Sequence, residues 1–357
     1  MKILLIVASR ARKGPVLVAR DIVAGLAASG HVVEVWYLDD KGPLDFACPT
    51  HKFEWSLLRR LKEFDVVHSH SLRPDALSWV MRQVFRHRAR YVTTLHNYVE
   101  QDLRFEYGPV VSAVFSRIWR FLWQGCDACV ALTHHARDYY LATQPQLKMQ
   151  VVYNGRPAHK TERLNVADAG TLSNLKRRYG IIGATALVTE RKGLDQIIRA
   201  LPNLPEYVLV LIGEGPGLAD LKYLAVQLDV AERFICLGFR DNARDFLPYM
   251  DIYAMPSRSE GMPLAMLEAV DSGVPVVCSE IPVFQELFAD DEVAFFELDD
   301  ATSLEHAVRT AADRAVLQSQ KAQRRFEAFY SLEAMAQGYL RVYGAAPHTD
   351  AAGPVSC

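Results

Sequence analysis

Short apolar runs alternate with longer amphipathic stretches along the first half of the chain. KILLIVA, VVEVWYL, DVVHSH, YVTTLH, ACVALT and MQVVYN have the length and composition of buried strands. Between them, VLVARDIVAGLAASG, DALSWVMRQVFRH and PVVSAVFSRIWRFLWQ place apolar residues at helical spacing, and Gly30 stands where a helix ends in a left-handed residue. The polar stretch HKTERLNVADAGTLSNLKRR has no strand pattern and reads as a linker. Alternation then restarts with ATALVT, GLDQIIRALPN, YVLVLIG, GLADLKYLAVQLDV, RFICLG, DIYAMP, a helix from Pro263 to Ser272, and PVVCS.

Strand–helix alternation in both halves predicts an α/β protein with two mostly parallel, doubly wound domains, 1–165 and 166–330. The last helical pattern, at about 331–344, is expected to pack back on the first domain. The Ala- and Pro-rich residues 345–357 are expected to be disordered. Open α/β sheets bind ligands at the carboxyl ends of their strands, so a cleft between the two domains is the expected site.

Composition narrows the class. A chain of 357 residues exceeds one ordinary core, and 50% hydrophobic with 23% charged residues is the profile of a globular protein. No apolar run approaches the roughly 20 residues that span a bilayer. MKILLIVASR is too short in its apolar part for a secretory leader. Six scattered cysteines point to a reducing cytosol, and the lone Cys126–Cys129 CxxC has no second pair with which to hold zinc. A cytoplasmic protein is therefore expected. The net charge of −2 hides an asymmetry: residues 1–160 carry 22 Lys and Arg against 14 Asp and Glu, residues 161–357 carry 18 against 28. The basic half suits an anionic partner, a phosphate or the inner face of an acidic membrane, and is equally compatible with plain solvated surface. No nucleic-acid partner is expected.

The segment SRSEGMPLAMLEAVDSGVPVV, residues 257–277, carries the chemistry. Strand DIYAMP ends at Pro256, SRSEG turns, and Pro263 falls near the first helical position, so the amides of Gly261, Met262 and Leu264 are open at a helix start. Such amides attract a phosphate. Carboxylates suit sugar hydroxyls instead, and Glu260 and Glu268 flank this helix start. The bland alternative is that Glu260 caps the helix and Glu268 lies on a wet face.

With the surrounding motifs, EGMPLAMLEA and GVPVV resemble the E-x7-E signature of retaining glycosyltransferases of family 4. KGLDQIIRAL, VLIGEGPGLADL and LGFRDNARDFLPYMDIYAMPS resemble further segments of that family in the right order, as do DVVHSH, TTLHN and VVYNG in the first half. The resemblance covers nearly the whole chain. It implies the GT-B fold, two Rossmann-like domains facing across a cleft, and a nucleotide diphosphate sugar as donor substrate, with no cofactor and no metal. It also implies site roles. Glu268 would hold the ribose hydroxyls and Glu260 those of the transferred sugar. The diphosphate would lie on the amides from Gly261 through Met262 and Pro263 to Leu264. Lys192 would neutralise the departing phosphate, His96 would orient the donor sugar, and Gly14 would allow close approach to the phosphate. Two departures stand out: Leu187 takes the place of the family's second diphosphate ligand, an arginine, leaving Arg191 as the candidate substitute, and the first loop has one glycine where many relatives have two.

Other features carry less. His68 and His70 share a strand face but lack a third metal ligand nearby in sequence, and His134 and His135 point apart. GEGPGL at 213–218 is not the dinucleotide fingerprint. Arg117 and Arg120 beside Trp119 and Trp123 suit an interfacial helix and a core helix equally.

The function expected is sugar transfer with retention, from a UDP-sugar in preference to a GDP-sugar. The acceptor would be a saccharide or a lipid-linked one, in cell-surface polysaccharide or glycolipid synthesis. The alternatives are a nucleotide-sugar 2-epimerase on the same fold and an inactive subunit that only binds a sugar nucleotide.

Overall fold

The computed structural model describes residues 1–159 and 162–344, with the backbone alone at 102 and 105–107. The expected disordered tail lies outside the described residues. The chain forms two compact units, Met1–Gly155 with Leu332 onward, and Arg156–Ser331.

In the first unit the strands are β1 (Lys2–Ser9), β2 (Val32–Asp39), β3 (Thr50–Lys52), β4 (Val66–His70), β5 (Arg90–Leu95), β6 (Ala128–Ala131) and β7 (Met149–Val151). Its helices are α1 (Gly14–Ala28), α2 (Leu72–Gln83), α3 (Val99–Gln124) and α4 (His134–Thr143). The sheet runs β3-β2-β1-β4-β5-β6-β7, and every pairing is parallel. Ile3 to Val7 are wholly buried, as a strand covered on both faces must be, and each such side chain is worth roughly 1.5–3 kcal/mol. α1 ends at Ser29, and Gly30, at φ 79°, donates back to Ala27 O over 3.0 Å.

α3 begins ten positions before the helix expected at Pro109. Gly108 breaks it at φ 82° and Pro109 follows, so two helical segments join across a kink. Trp119 and Trp123 point inward and donate to Asp75 from Nε1 over 2.5 and 3.3 Å. Asp75 also accepts from Ser69 Oγ at 2.6 Å and Thr93 Oγ1 at 2.7 Å, tying α2 to β4, β5 and α3.

In the second unit the elements are α5 (Val166–Lys176), β8 (Gly180–Thr185), α6 (Leu194–Ala200), β9 (Tyr207–Ile212), α7 (Leu218–Gln227), β10 (Phe234–Gly238), β11 (Ile252–Met255), α8 (Leu264–Asp271), β12 (Val276–Ser279), α9 (Pro282–Leu287), β13 (Ala294–Phe296), α10 (Ala301–Asp313) and α11 (Ala315–Arg325). The sheet order is β10-β9-β8-β11-β12-β13, again parallel throughout. Two expectations are corrected here. The stretch read as a linker contains α5, capped by Asn165, whose side chain accepts from Asp168 N at 2.9 Å. Its few apolar residues hid it. The strand read as ATALVT is GIIGAT, four residues earlier. Ala186 to Val188 leave the sheet and bind the 213–217 turn, with Val188 N donating to Glu214 O at 2.8 Å and Gly217 N to Val188 O at 3.1 Å. Glycine is required at 213, where φ is +147° and a Cβ would lie 1.8 Å from Ala186 O.

The last helix, α12 (Leu332–Tyr343), belongs to the first unit and packs on α1 and β5. Where the chain enters and leaves the second unit, Arg156 and Ser331 form an isolated parallel bridge. The division at Gly155 puts residues 156–165 with the second unit, where the sequence pattern had them in the first.

Candidate functional site

Strand order in the second sheet reverses between β8 and β11, and the loops after these two strands lie side by side. The loop after β8 ends in a short 3₁₀ turn, Glu190–Lys192, and Gly193 follows in the left-handed conformation at φ 60°. A Cβ there would sit 2.0 Å from Pro256 O, so only glycine lets the two loops meet. Gln196 Nε2 donates to Pro256 O at 2.8 Å and Arg258 N to Arg191 O at 2.8 Å, which stitches them together.

Glu260 is buried between these loops. Its Oε1 accepts from Lys192 Nζ at 2.5 Å and Ser257 Oγ at 2.7 Å, and Arg191 Nη1 reaches Oε2 at 3.4 Å. Burial pushes the carboxyl up, but the charges of Lys192 and Arg191 and the Lys192 and Ser257 hydrogen bonds outweigh it and hold the carboxyl below its ordinary value. Glu260 is therefore ionised and neutralised in place, and does not cap the helix. α8 starts at Leu264 with Pro263 as its N-cap, one position later than the sequence pattern placed it, and no side chain caps it. Gly261 and Met262 are buried at its approach. The opening turn thus presents amide donors beside one cation-neutralised carboxylate.

Glu268, in the second turn of α8, pairs with Arg156 Nη2. Arg244 Nη2 pairs with Asp271 and its Nη1 donates to Pro157 O at 2.9 Å. His159 Nε2 lies 2.7 Å from Asp245 Oδ1. Sequence reading missed this second set of pairs, because Arg156 is remote along the chain from Glu268 and lies outside the motif that contains it.

The first unit carries its own polar cluster at the ends of β4 and β5. His68 Nδ1 is 2.7 Å from Tyr343 Oη and its Nε2 2.8 Å from Thr94 Oγ1, so both nitrogens are engaged. His70 Nδ1 lies 2.9 Å from Nε2 of the partly buried His96. Burial pushes the imidazoles of His68 and His96 down to about 3 and that of His70 well below its ordinary value, so all three are neutral near pH 7. His70 Nε2 is buried with no partner among the described residues. A buried N–H without an acceptor is rarer than a lone acceptor, which places the His70 proton on Nδ1, donated to His96 Nε2. His96 then carries its own proton on Nδ1. Gly14 opens α1 and is exposed; a Cβ there would meet nothing within 4 Å, so the fold itself does not demand glycine.

Residues 13–159 match the family model described as Glycosyltransferase Family 4, and residues 173–329 match the model described as Glycosyl transferases group 1. The O-antigen biosynthesis glycosyltransferase WclY of Escherichia coli is 32% identical over 96% of this chain and 98% of its own. The chain belongs to glycosyltransferase family 4. A UDP-Gal:alpha-D-GlcNAc-diphosphoundecaprenol alpha-1,3-galactosyltransferase of Escherichia coli is 34% identical over 74% of this glycosyltransferase and 70% of its own length. The fold is GT-B. Among solved structures, Anabaena HepE in complex with UDP matches 96% of the glycosyltransferase and 100% of its own chain at TM-score 0.80 and 17% identity. Sucrose-phosphate synthase from Thermosynechococcus elongatus matches 96% and 98% at TM-score 0.77 and 16% identity.

Two observations bear on the arginine expected at position 187. Leu187 is 66% exposed in the loop after β8 and supplies no cation. Arg191, the candidate substitute, is tied to the Glu260 loop, with Nη1 donating to Ser259 O at 2.6 Å. Lys192 is held by the Glu260 carboxylate itself, and the amides at the start of α8 have no side-chain cap.

Proposed function

We propose that the protein transfers a sugar from a UDP-sugar to a lipid-linked saccharide with retention of configuration, in the synthesis of an O-antigen-type surface polysaccharide. The observation that carries this reading is the buried Glu260 carboxylate, paired with the half-buried Lys192 and Arg191, beside the uncapped start of α8. In the proposed reaction the diphosphate lies on the α8 amides, Glu260 accepts from hydroxyls of the transferred sugar, and Glu268 from those of the ribose. The bond between the anomeric carbon and the phosphate oxygen breaks, and Lys192 neutralises the charge gathering on that oxygen. The acceptor hydroxyl attacks from the same face and gives its proton to the departing phosphate oxygen. The choice of UDP and of a diphospholipid acceptor is supported by the names of the relatives above.

A membrane contact is part of the proposal. Val110, Val114, Ile118 and Phe121 recur along one exposed side of α3 while Ser112 and Ser116 are buried, the reverse of an ordinary surface helix. The exposed Arg117 lies within that stripe, which suits an anionic lipid surface. The tryptophans singled out in the sequence face inward and take no part in it. No helix among the described residues is long and apolar enough to cross a membrane.

The test is release of nucleoside diphosphate from UDP- and GDP-sugars in the presence of polyprenyl-diphosphate-linked saccharides, with the product's anomeric configuration read by NMR. UDP release with a retained anomer is expected. Tight donor binding without turnover on any acceptor would mean an inactive binding subunit, and recovery of a 2-epimeric sugar nucleotide would mean an epimerase.

The histidine pair gives a second expectation. Removing the His70 donor with His70→Ala is expected to lower kcat about tenfold, in line with one lost hydrogen bond. His70→Asn, whose amide can reproduce the Nδ1 donor, is expected to stay within about threefold of wild type. Equal losses in both variants would show that His70 acts through packing.

A further inference from the structure

Glu268 has a partner that its own motif does not announce. Arg156 is only 6% exposed, and its Nη2 donates to Glu268 Oε1. The arginine is fixed at its base as well: its backbone N–H donates to Tyr330 O at 2.9 Å, and the residue bridges to Ser331. Glu268 Oε2 accepts from no group among the described residues, and the side chain is 18% exposed. One oxygen is held and the other is open.

A carboxylate on a helix turns freely about its last torsion, and a pair of vicinal hydroxyls needs both its oxygens in one plane. A buried arginine whose backbone is fixed, and whose Nη2 holds one of the two oxygens, restricts that torsion. Each carboxylate oxygen has two lone pairs, so Oε1 can accept from Arg156 and from a hydroxyl at once. Arg156 also lowers the local negative charge of Glu268, which eases the approach of a diphosphate to the same helix. Arg244 adds a second cation nearby, its guanidinium within the field of both Glu268 and Asp271.

We infer that Arg156 is a positioning residue that orients Glu268 for the ribose diol, and so makes the site prefer ribonucleotides to 2′-deoxyribonucleotides. The inference rests on the reading of Glu268 as a ribose ligand. It adds a residue outside the E-x7-E segment, from the place where the chain enters the second unit.

The experiment is calorimetric titration of wild type, Arg156→Ala and Arg156→Lys with UDP and with 2′-deoxy-UDP. Wild type is expected to bind UDP about tenfold more tightly than its deoxy analogue, the value of roughly one hydrogen bond to a charged group. Both variants are expected to bring that ratio close to one, mainly by weakening UDP. Lysine keeps the charge on a flexible stem that does not hold Oε1 in one orientation, so Arg156→Lys carries the test if the alanine variant melts early. A ratio unchanged in the variants, or equal weakening of both nucleotides, overturns the inference: the first means Glu268 orients itself, the second that Arg156 touches phosphate or only supports the fold. Failure of wild type to bind UDP at all would instead overturn the UDP-sugar reading, and the inference with it.

Discussion

Lys192→Ala is expected to lower kcat for sugar transfer by about 10²–10³-fold, with a much smaller change in donor affinity. The donor's diphosphate is already charged when bound, but it gains further negative charge as the glycosidic bond breaks. An ammonium beside that oxygen therefore counts for more in the transition state than in the ground state. The same substitution leaves Glu260 buried with only Arg191 and Ser257 to hold it, so its carboxyl should move up from its depressed value. Because a carboxylate with a depressed pKa contributes stability above its unfolded value and loses it as pH falls, the variant should lose that contribution at a higher pH than wild type. Single-turnover kinetics with nucleotide release, run beside a thermal melt, check both parts. A kcat within threefold of wild type would remove Lys192 from the mechanism.

The second large effect concerns stability. Asp75→Leu should destabilise the first unit by about 3–5 kcal/mol, because it leaves the two indole N–H groups without acceptors along with two hydroxyls. Asp75→Asn should cost much less, since the hydroxyls of Ser69 and Thr93 can rotate to accept from an amide while its oxygen serves the indoles. The asparagine variant isolates a pH effect. Burial raises the Asp75 carboxyl to about 6 in spite of its four donors, against about 3.9 in an unfolded chain. The folded state thus holds that proton more tightly, and stability contributed by Asp75 rises as pH falls from 7 towards 4, by up to about 3 kcal/mol. His68, His70 and His96 act in the opposite sense: their lowered values mean that stability is lost as pH falls below about 6.5. Chemical denaturation of wild type and Asp75→Asn from pH 7 to 4 separates the two, since the histidines are common to both. A difference between the proteins that does not grow as pH falls would contradict the account of Asp75.

What the sequence revealed follows from what burial demands. β1, β9 and β11 are buried along nearly all their length, so their apolar runs are continuous and their ends can be read. α5 buries little more than Leu172 of its apolar residues and leans instead on Asn165 and on the pairing of Asp168 with Arg240, which no hydrophobic period reports. The strand at Gly180 was displaced by the apolar Ala186 to Val188, whose partners are backbone groups of the 213–217 turn. In the site, Glu260, Glu268 and the α8 start are contiguous in the chain and could be read together. The pairing of Lys192 with Glu260, and of Arg156 with Glu268, depends on sheet order, which periodicity does not determine.

The placement of α12 has a consequence for synthesis on the ribosome. The first unit's strands emerge first, yet the helix that covers them is the last described element. Until it arrives, His68 lacks the phenol of Tyr343, Thr94 that of Tyr339, and the Arg90 side chain the carbonyl of Val342. Gly25 on α1 waits for Ala336, whose methyl packs so closely that a Cβ on Gly25 would come within 2.8 Å. The second unit, contiguous from Arg156 to Ser331, can close before the first one does. A nascent chain would therefore finish its later domain while the earlier one still exposes an uncovered apolar face, and a product stopped at Ser331 would keep that face open for a chaperone or a protease to find.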